Sequence, residues 1–167
     1  MTTVWTTLDS PLGELLLVGE ESTTAKGGTS LTSLSLTTGQ PNAAVVQPGW
    51  AADPEAFAEV AGQLRAYFAG ESTSFELEFT AHGTPFQRRV WAALEQVPHG
   101  HTLTYGELAE RAGIPRKSAR AVGAANGANP LLVVRPCHRV IGANGSLTGY
   151  AAGLERKQLL LELEGRA

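Results

Sequence analysis

The chain has one cysteine, Cys137, and this residue lies in the run Pro136-Cys137-His138-Arg139. An adjacent imidazole and a nearby cation favour the thiolate, which is the nucleophilic form of a cysteine. The preceding proline fixes the backbone and offers no N–H group. A cysteine that only fills a core does not need such neighbours, so we interpret Cys137 as a nucleophile. These neighbours leave two chemistries open, that of a Cys–His hydrolase and that of an acceptor of alkyl groups.

The composition excludes several other classes of protein. One cysteine cannot form an internal disulfide, a zinc site built on a cysteine pair or an iron–sulfur cluster. The apolar fraction of 43% and the charged fraction of 17% are typical of a globular chain. The sequence contains neither a secretory signal pattern nor an apolar run long enough to span a membrane. We therefore predict a soluble, cytoplasmic protein.

The net charge of −3 is distributed unevenly along the chain. Residues 1–80 contain two basic and ten acidic residues, a net charge of −8, whereas residues 81–167 contain eleven basic and six acidic residues, a net charge of +5. Such asymmetry favours a protein in which only the second half faces a polyanion. A chance distribution of surface charge would look the same, so this signal is weak on its own.

The first half of the chain has the pattern of short strands and one helix. Asp53 is a good N-cap, Pro54 fits the first helical position, and the apolar stripe that follows stops at Gly70. Apolar or alternating runs between small polar residues predict strands at Val4–Thr6, Leu15–Val18, Leu31–Leu36 and Phe75–Phe79. We predict a small α/β domain over residues 1–82, and nothing in it carries chemistry.

The second half begins with two capping boxes. Thr84 with Gln87 and Thr104 with Glu107 have the spacing that satisfies the first free N–H groups of a helix. The first of these helices is predicted to end at Pro98-His99-Gly100. The second helix is closed by Gly113, and a further helix over Arg116–Gly127 completes a helix-turn-helix.

The remainder of the second half contains the cysteine motif. We predict a short buried strand at Leu131–Val134 before it. Val140–Ile141 and Leu147 then predict a hairpin around an Asn-Gly turn. Leucines predict a closing helix from Leu154 to near Gly165.

The motifs of residues 84–164, taken together, resemble the O6-alkylguanine-DNA alkyltransferases, also called methylated-DNA–protein-cysteine methyltransferases. Several separate motifs occur in the family's order, which is more specific than any one of them. They are Phe86-Gln87, Val90-Trp91, Tyr105-Gly106-Glu107-Leu108-Ala109, Ala119-Arg120-Ala121-Val122-Gly123, Asn129-Pro130, Pro136-Cys137-His138-Arg139-Val140, Thr148-Gly149-Tyr150 and a final leucine-rich helix with Glu164. Asp9-Ser10-Pro11-Leu12-Gly13 and the helix that ends in Tyr67-Phe68-Ala69-Gly70 look like the family's N-terminal domain.

The resemblance implies a fold and an activity. The fold is α/β (α+β): a ribonuclease H-like supporting domain over residues 1–82, with a small antiparallel sheet and a helix, then a helical, winged-helix-like DNA-binding and catalytic domain over residues 83–167. The activity is the irreversible, single-turnover transfer of an alkyl group to Cys137 from O6-alkylguanine, and also from O4-alkylthymine, in double-stranded DNA. The damaged base is flipped out from the minor-groove side. The resemblance implies no cofactor and no metal, and a monomer that can bind DNA cooperatively.

The resemblance also assigns roles to residues. His138 would remove the thiol proton through a water, and Glu164 would orient His138. Tyr105 would protonate the departing guanine at N3, and Asn129 would brace the turn around the cysteine. The DNA-binding residues would be Tyr105, Arg116, Lys117, Ala119, Arg120, Ala121, Gly123 and Arg139, with Arg120 filling the gap left by the flipped base. The substrate pocket would be formed by Pro136, Val140, Tyr150, Ala151 and Ala152.

Two positions depart from the family's pattern. Arg135 stands where an apolar residue is usual, and we expect it to reach solvent, a carboxylate or a DNA phosphate, and in the last case to strengthen DNA binding. Ala152 stands where glycine is common, and we expect its methyl group to narrow the pocket against bulky adducts.

Three alternatives stay open. An alkyltransferase-like protein keeps this fold, lacks the reactive cysteine and only senses lesions. A winged-helix regulator usually reads the major groove with polar side chains, whereas Ala121, Gly123 and Ala124 are small. A Cys–His hydrolase turns over many times and needs no DNA.

Overall fold

The computed structural model describes residues 3–80 and 82–165, and the chain divides into two compact units, Met1–Ala81 and His82–Ala167. The first unit contains a four-stranded sheet of order β3-β2-β1-β4. Its strands are β1 (Thr3–Ser10), β2 (Gly13–Glu21), β3 (Thr29–Leu36) and β4 (Ala51–Ala52). The first three are antiparallel neighbours, and β4 pairs in parallel with β1. The strands predicted at Val4–Thr6, Leu15–Val18 and Leu31–Leu36 are confirmed, and β1 and β2 extend further than the apolar runs indicated.

The central strand β2 organises this sheet because it is buried on both faces. Leu15 to Val18 are all nearly inaccessible, so this strand receives side chains from both sides. A tight turn joins it to β1: the Ser10 hydroxyl accepts a hydrogen bond from Leu12 N–H and donates one to Gly13 C=O. A register shift after Val18 brings Gly19 so close to β3 that a Cβ atom there would lie 2.7 Å from the Ser30 carbonyl oxygen.

The helix of this unit follows the predicted start signal. The Asp53 carboxylate accepts a hydrogen bond from Ala56 N–H and caps a 3₁₀ turn over Pro54–Phe57. This turn continues into α1 (Ala58–Phe68), whose buried residues are Val60, Ala61, Leu64 and Tyr67. Gly70 ends it with φ of 75°, a conformation that glycine adopts at little cost.

The strand predicted at Phe75–Phe79 does not form. Phe79 makes one isolated parallel bridge with Leu31, and the rest of the segment has no ladder. The backbone of Glu76 is instead satisfied by the Gln63 side chain, which accepts from its N–H at 2.8 Å and donates to its C=O at 3.1 Å. A side chain from α1 therefore takes the hydrogen bonds that a neighbouring strand would have used.

The second unit is mainly helical. Its elements are α2 (Pro85–Leu94), β5 (Leu103–Thr104), α3 (Tyr105–Arg111), α4 (Ala119–Gly127), β6 (Val140–Ile141) and α5 (Leu154–Leu163). Both predicted capping boxes form at the starts of α2 and α3. Helix α2 ends at Leu94, before the Pro98-His99-Gly100 stop predicted for it. The expected combination of a small antiparallel sheet with a helix followed by a helical region is confirmed.

Helices α3 and α4 form the predicted helix-turn-helix. Gly113 has φ of 72° and closes α3, and Ile114 N–H bonds back to Ala109 C=O at 2.8 Å. A 3₁₀ turn over Arg116–Ser118 then leads into α4. The Arg89 guanidinium donates to the carbonyls of Ala112 and Gly113 and so fixes the turn from the side of α2.

Two predictions around the cysteine motif are wrong. Leu131–Val134 is buried as expected, but it is a compact turn with Val133 at φ of 69°, because Arg135 N–H bonds back to Leu131 C=O. The expected hairpin is also absent, since β6 pairs in parallel with β5. The turn after β6 does close, through Gly142 N–H and Ser146 C=O at 2.8 Å. Within residues 3–80 and 82–165, no helix has the length and apolar character to cross a bilayer.

Candidate active site

Cys137 lies at the bottom of a pocket in the second unit. It begins a 3₁₀ turn over Cys137–Arg139, and only 3% of it is exposed. The pocket has a volume of about 120 Å³ and is lined by Tyr105, Gly123, Asn126, Gly127, Asn129, Leu132, Cys137, Gly149, Tyr150 and Ala151. The cysteine predicted as the nucleophile thus lies among the residues that line a small cavity.

The buried Asn129 side chain holds the segment before the cysteine in shape. Its amide N–H₂ group donates to the carbonyls of Leu131 and Arg135, and its oxygen accepts from Leu131 N–H. The Arg135 carbonyl also accepts from Cys137 N–H at 2.8 Å. Replacing Asn129 would leave these buried backbone groups without a partner, which is costly, so the amide fixes where Cys137 stands.

His138 and Arg139 both bind the same carboxylate. His138 Nε2 lies 2.8 Å from Glu164 Oε2, and Arg139 forms a two-pronged contact with Glu164 through Nε at 2.8 Å and Nη2 at 2.9 Å. Glu164 follows directly after α5, so this helix brings the carboxylate to the cysteine turn. His138 Nδ1 is buried and has no hydrogen-bond partner among the residues that the structure describes. The arrangement leaves Nδ1 as the ring atom able to accept a proton.

Burial determines the protonation states of Cys137 and His138. It raises the pKa of the Cys137 thiol, although a hydrogen bond from Asn129 and the charges of Lys157 and Arg135 act in the opposite direction. Burial also lowers the pKa of His138, against the effect of Glu164. The resting pair is therefore a thiol and a neutral imidazole. Nearby charges favour the thiolate, but desolvation outweighs them in the resting protein.

Lys157 is a buried residue of the site that the sequence analysis did not identify. Its ammonium group donates to the carbonyls of Val140 at 2.5 Å, Thr148 at 2.8 Å and Gly149 at 3.2 Å. Burial lowers its pKa to about 8. Lys157 therefore ties α5 to β6 and to the loop that forms one wall of the pocket. Its position on the buried side of the leucine-rich helix was the available signal, because a lysine there needs a polar partner.

The same loop carries the hydrogen bond of Tyr105. The Tyr105 hydroxyl donates to the Thr148 carbonyl at 3.0 Å, so Thr148 accepts from both Tyr105 and Lys157. The tyrosine ring stands beside Gly123, where an added Cβ atom would lie 3.5 Å from two ring carbons. A hydroxyl able to exchange protons is thus held at the rim of the cysteine pocket.

Asn126 connects α4 to the cysteine turn and was also missed. Its side-chain N–H₂ group donates to the Cys137 carbonyl at 3.3 Å. Trp91 Nε1 donates to the Ala125 carbonyl at 2.9 Å and anchors the same turn of α4 to α2. An asparagine beside Val122 and Ala125 on the buried side of a helix was the only available sequence signal.

The pocket differs from the expected one at three positions. Tyr150 and Ala151 line it as predicted, but Pro136, Val140 and Ala152 do not. The Val140 carbonyl is occupied by Lys157. Ala152 is fully buried and lies outside the lining residues, so its methyl group does not narrow the cavity. The expected effect of Ala152 on bulky adducts is therefore withdrawn.

The residues expected to bind DNA divide into two groups. Arg116, Lys117, Arg120 and Ala121 are exposed, and Tyr105, Ala119 and Gly123 are partly exposed. Arg139 is different: its guanidinium is turned inward to Glu164 and to the Val97 carbonyl. A buried arginine with these partners cannot reach a phosphate without breaking an internal ion pair, so the DNA-binding role of Arg139 is corrected.

Arg135 is also buried and lies away from solvent. Its Nε donates to Glu95 Oε2 at 3.0 Å, its Nη1 donates to Asn129 Oδ1 at 3.2 Å, and its guanidinium carbon lies 4.8 Å from the Trp91 ring centroid. We expected Arg135 to reach solvent, a carboxylate or a DNA phosphate, and the structure shows a carboxylate, that of Glu95. The hypothesis that Arg135 contacts a DNA phosphate is wrong, because its side chain has no exposed surface.

Comparison with known proteins identifies the family. Residues 3–81 match the ribonuclease-like domain of 6-O-methylguanine DNA methyltransferase, and residues 85–166 match its DNA-binding domain. The chain belongs to the 6-O-methylguanine DNA methyltransferase family. Within it, the chain is 51% identical over 162 residues to a methylated-DNA–protein-cysteine methyltransferase of Mycolicibacterium paratuberculosis, covering 96% of this chain and 91% of the relative.

Further members of the family show the same likeness. A methylated-DNA–protein-cysteine methyltransferase of Methanosarcina acetivorans is 47% identical over 157 residues, which cover 94% of this chain and 95% of the relative. Mycobacterium tuberculosis OGT, solved in complex with DNA, superposes with a TM-score of 0.85 and 48% identity over 100% of this chain and 95% of that one. The likeness therefore extends over both compact units.

Proposed function

We propose that this protein repairs DNA by transferring the alkyl group of O6-alkylguanine, and also that of O4-alkylthymine, to the sulfur of Cys137. The single observation that carries the proposal is the cysteine itself. It is the only cysteine of the chain, it lies at the bottom of a pocket, and it precedes a histidine that is hydrogen-bonded to a buried carboxylate. The transfer to sulfur requires no cofactor, and the product is a thioether, so each molecule acts once.

Proton transfer to His138 starts the reaction. A neutral imidazole whose Nε2–H donates to Glu164 has a free lone pair on Nδ1, which takes the thiol proton through a water. The sulfur then attacks the alkyl carbon, a C–S bond forms, and the C–O bond breaks with its electron pair on the base. Glu164 stabilises the imidazolium that results, as an orienting carboxylate does in a catalytic triad.

Tyr105 supplies the second proton. Its hydroxyl protonates the departing guanine at N3, so the leaving group departs as a neutral base. The Thr148 carbonyl, which accepts from this hydroxyl, holds it at the rim of the pocket before DNA binds. Asn129 keeps the cysteine turn in place during the displacement through its three backbone hydrogen bonds.

The helix-turn-helix presents the pocket to DNA. Residues of α4 that are exposed and small allow the helix backbone to approach the minor groove, and Arg120 fills the space that the flipped base leaves. Arg116 and Lys117 contact phosphates without regard to sequence, which suits a protein that searches all DNA. We further propose that residues 1–82 support residues 83–167, and that the protein binds DNA as a monomer, with cooperativity between copies, in the cytoplasm.

The DNA product tests this proposal. A duplex that carries one O6-methylguanine is incubated with limiting protein, and its nucleosides are quantified after digestion. We expect O6-methyldeoxyguanosine to be lost in an amount equal to the active protein and then to stop decreasing, and we expect no loss with Cys137→Ser. Continued turnover would favour a hydrolase, and tight binding without any loss of O6-methyldeoxyguanosine would favour a lesion-sensing protein.

A further inference from the structure

The buried ion pair of Glu95 and Arg135 lies directly behind the cysteine turn, and no step proposed above uses it. Arg135 is completely buried, whereas the Glu95 side chain is 33% exposed. The resemblance to the family gives an apolar residue as usual at the position of Arg135. Burying a charge costs desolvation free energy, which its partners must compensate. An apolar residue would fill the same place at lower cost, so the charge calls for an explanation beyond packing.

The contacts of Arg135 lead to the nucleophile in two ways. Its Nη1 donates to Asn129 Oδ1, and the amide group of Asn129 in turn donates to the Arg135 carbonyl, which also accepts from Cys137 N–H at 2.8 Å. The positive charge of Arg135 also acts on Cys137 directly and favours its thiolate form. Glu95 and the face of Trp91 hold the guanidinium in this position.

We propose that Arg135, held by Glu95, is a positioning residue for the alkyl transfer that orients the Asn129 amide and places a fixed positive charge beside Cys137. This inference rests on the proposed function of Cys137 as the alkyl acceptor. It predicts that the positive charge of Arg135 accelerates formation of the Cys137 thiolate within a pocket where burial opposes it.

The effect of Arg135 and Glu95 on the pH profile has to be separated from the effects of the other charged groups at the site. All variants keep the remaining titratable and charged side chains that pack around the cysteine turn, namely Tyr105 of α3, His138 and Arg139 of the turn, and Lys157 and Glu164 of α5 and its end. A change in the pH profile between variants then reports on Arg135 and Glu95.

The test uses two measurements on the full chain. The first is the rate at which iodoacetamide alkylates Cys137 as a function of pH, which needs no DNA. The second is the single-turnover rate of methyl transfer from O6-methylguanine in a duplex. We expect Arg135→Met to lower both rates roughly tenfold at pH 7 and to move both profiles to higher pH, because a nearby opposite charge favours the ionised thiol.

Three further variants distinguish charge from packing. Arg135→Lys keeps the charge and should keep the pH profile of the wild type. Arg88→Met is the matched control, because it makes the same substitution as Arg135→Met at an exposed site on α2. It should change neither the rate of alkylation by iodoacetamide nor its pH profile. Glu95→Gln leaves the positive charge in place, so its profile should stay unchanged or move to lower pH. A purely structural pair would instead make Arg135→Met and Glu95→Gln shift in the same direction.

The variants are expected to fold. Replacing a buried arginine by methionine removes a desolvated charge, and the partly exposed Glu95 can return to water. Wild-type iodoacetamide and transfer profiles in folded Arg135→Met would overturn the inference. Absence of transfer in the wild type would overturn the proposed function, whereas a shifted iodoacetamide profile would still support the electrostatic action of Arg135.

Discussion

At the scale of single residues, the site works with groups that are neutral at rest. Cys137 is held as a thiol by burial, and His138 is held as an imidazole for the same reason. Such a pair avoids the cost of two buried charges in the free protein. It also slows the reaction of the only cysteine with reagents that attack thiolates, because burial keeps the sulfur mainly in its thiol form.

Among the residues around Cys137, Glu164 is expected to affect both the transfer rate and the stability. In Glu164→Gln, His138 loses its orienting carboxylate and Arg139 keeps a buried charge without a compensating one. We expect the single-turnover rate to fall by roughly 10²- to 10⁴-fold. We also expect the free energy of unfolding to fall by about 3–5 kcal/mol.

Glu162→Gln is the matched control, because Glu162 is exposed on the same helix and its carboxylate accepts a hydrogen bond from the exposed Gln158. Both variants would be measured by single-turnover kinetics and urea denaturation. A Glu164→Gln protein that transfers methyl groups as fast as Glu162→Gln would contradict the role given to this carboxylate.

At the scale of elements, α5 is the part of the fold that assembles the site. Its Lys157 binds carbonyls of β6 and of the pocket loop, and Glu164 beyond its last turn binds the cysteine turn. The helix therefore joins both sides of the pocket, although none of its residues lines the cavity. Displacing α5 would disturb the nucleophile and the Tyr105 hydroxyl together, because Thr148 accepts from both Lys157 and Tyr105.

The ammonium group of Lys157 gives this element a characteristic pH dependence. Its pKa falls from 10.5 to about 8 on folding, so the unfolded chain binds more protons than the folded chain between these values. Stability contributed by this group therefore rises with pH across that window. We expect the unfolding free energy of the wild type to increase relative to Lys157→Met between pH 8 and 10.5. A difference that stays constant with pH would show that Lys157 is not a desolvated cation.

Elements with local signals could be predicted from the sequence. The capping boxes at Thr84 and Thr104 form as predicted, because their hydrogen bonds join residues three positions apart. The segment 75–79 could not be assigned correctly, because the Gln63 side chain of α1 bonds the backbone of Glu76 in place of a neighbouring strand. The inward course of Arg135 could not be predicted either, because its carboxylate partner, Glu95, is distant in the sequence.

At the scale of the whole molecule, residues 81–167 expose fewer positive charges than their sequence suggests. Of the eleven basic residues after position 80, Arg135, Arg139 and Lys157 are buried. The Arg89 guanidinium donates hydrogen bonds to two carbonyls of the turn between α3 and α4. Arg116, Lys117 and Arg120 are exposed around the start of α4, and Arg88 and Arg111 are exposed on α2 and α3. We propose that the group at the start of α4 is the one that faces DNA.

This distribution predicts a modest salt dependence of DNA binding. We expect the logarithm of the association constant to fall with the logarithm of salt concentration with a slope of roughly −2 to −4, as for about three or four phosphate contacts. Fluorescence anisotropy with a labelled duplex measures this slope. Lys117→Ala should reduce its magnitude by about one, and Arg139→Lys should leave it unchanged. A slope unaffected by Lys117→Ala would place the phosphate contacts elsewhere.

The central claim is that Cys137 accepts the alkyl group, and intact mass spectrometry tests it most directly. The protein is incubated with a duplex that contains O6-methylguanine, beside Cys137→Ser and beside an undamaged duplex. We predict a mass increase of one methyl group that saturates at one per molecule, maps to Cys137 by peptide sequencing and is absent from both controls. An unchanged mass after complete binding of the damaged duplex, or a methyl group on any residue other than Cys137, would contradict it.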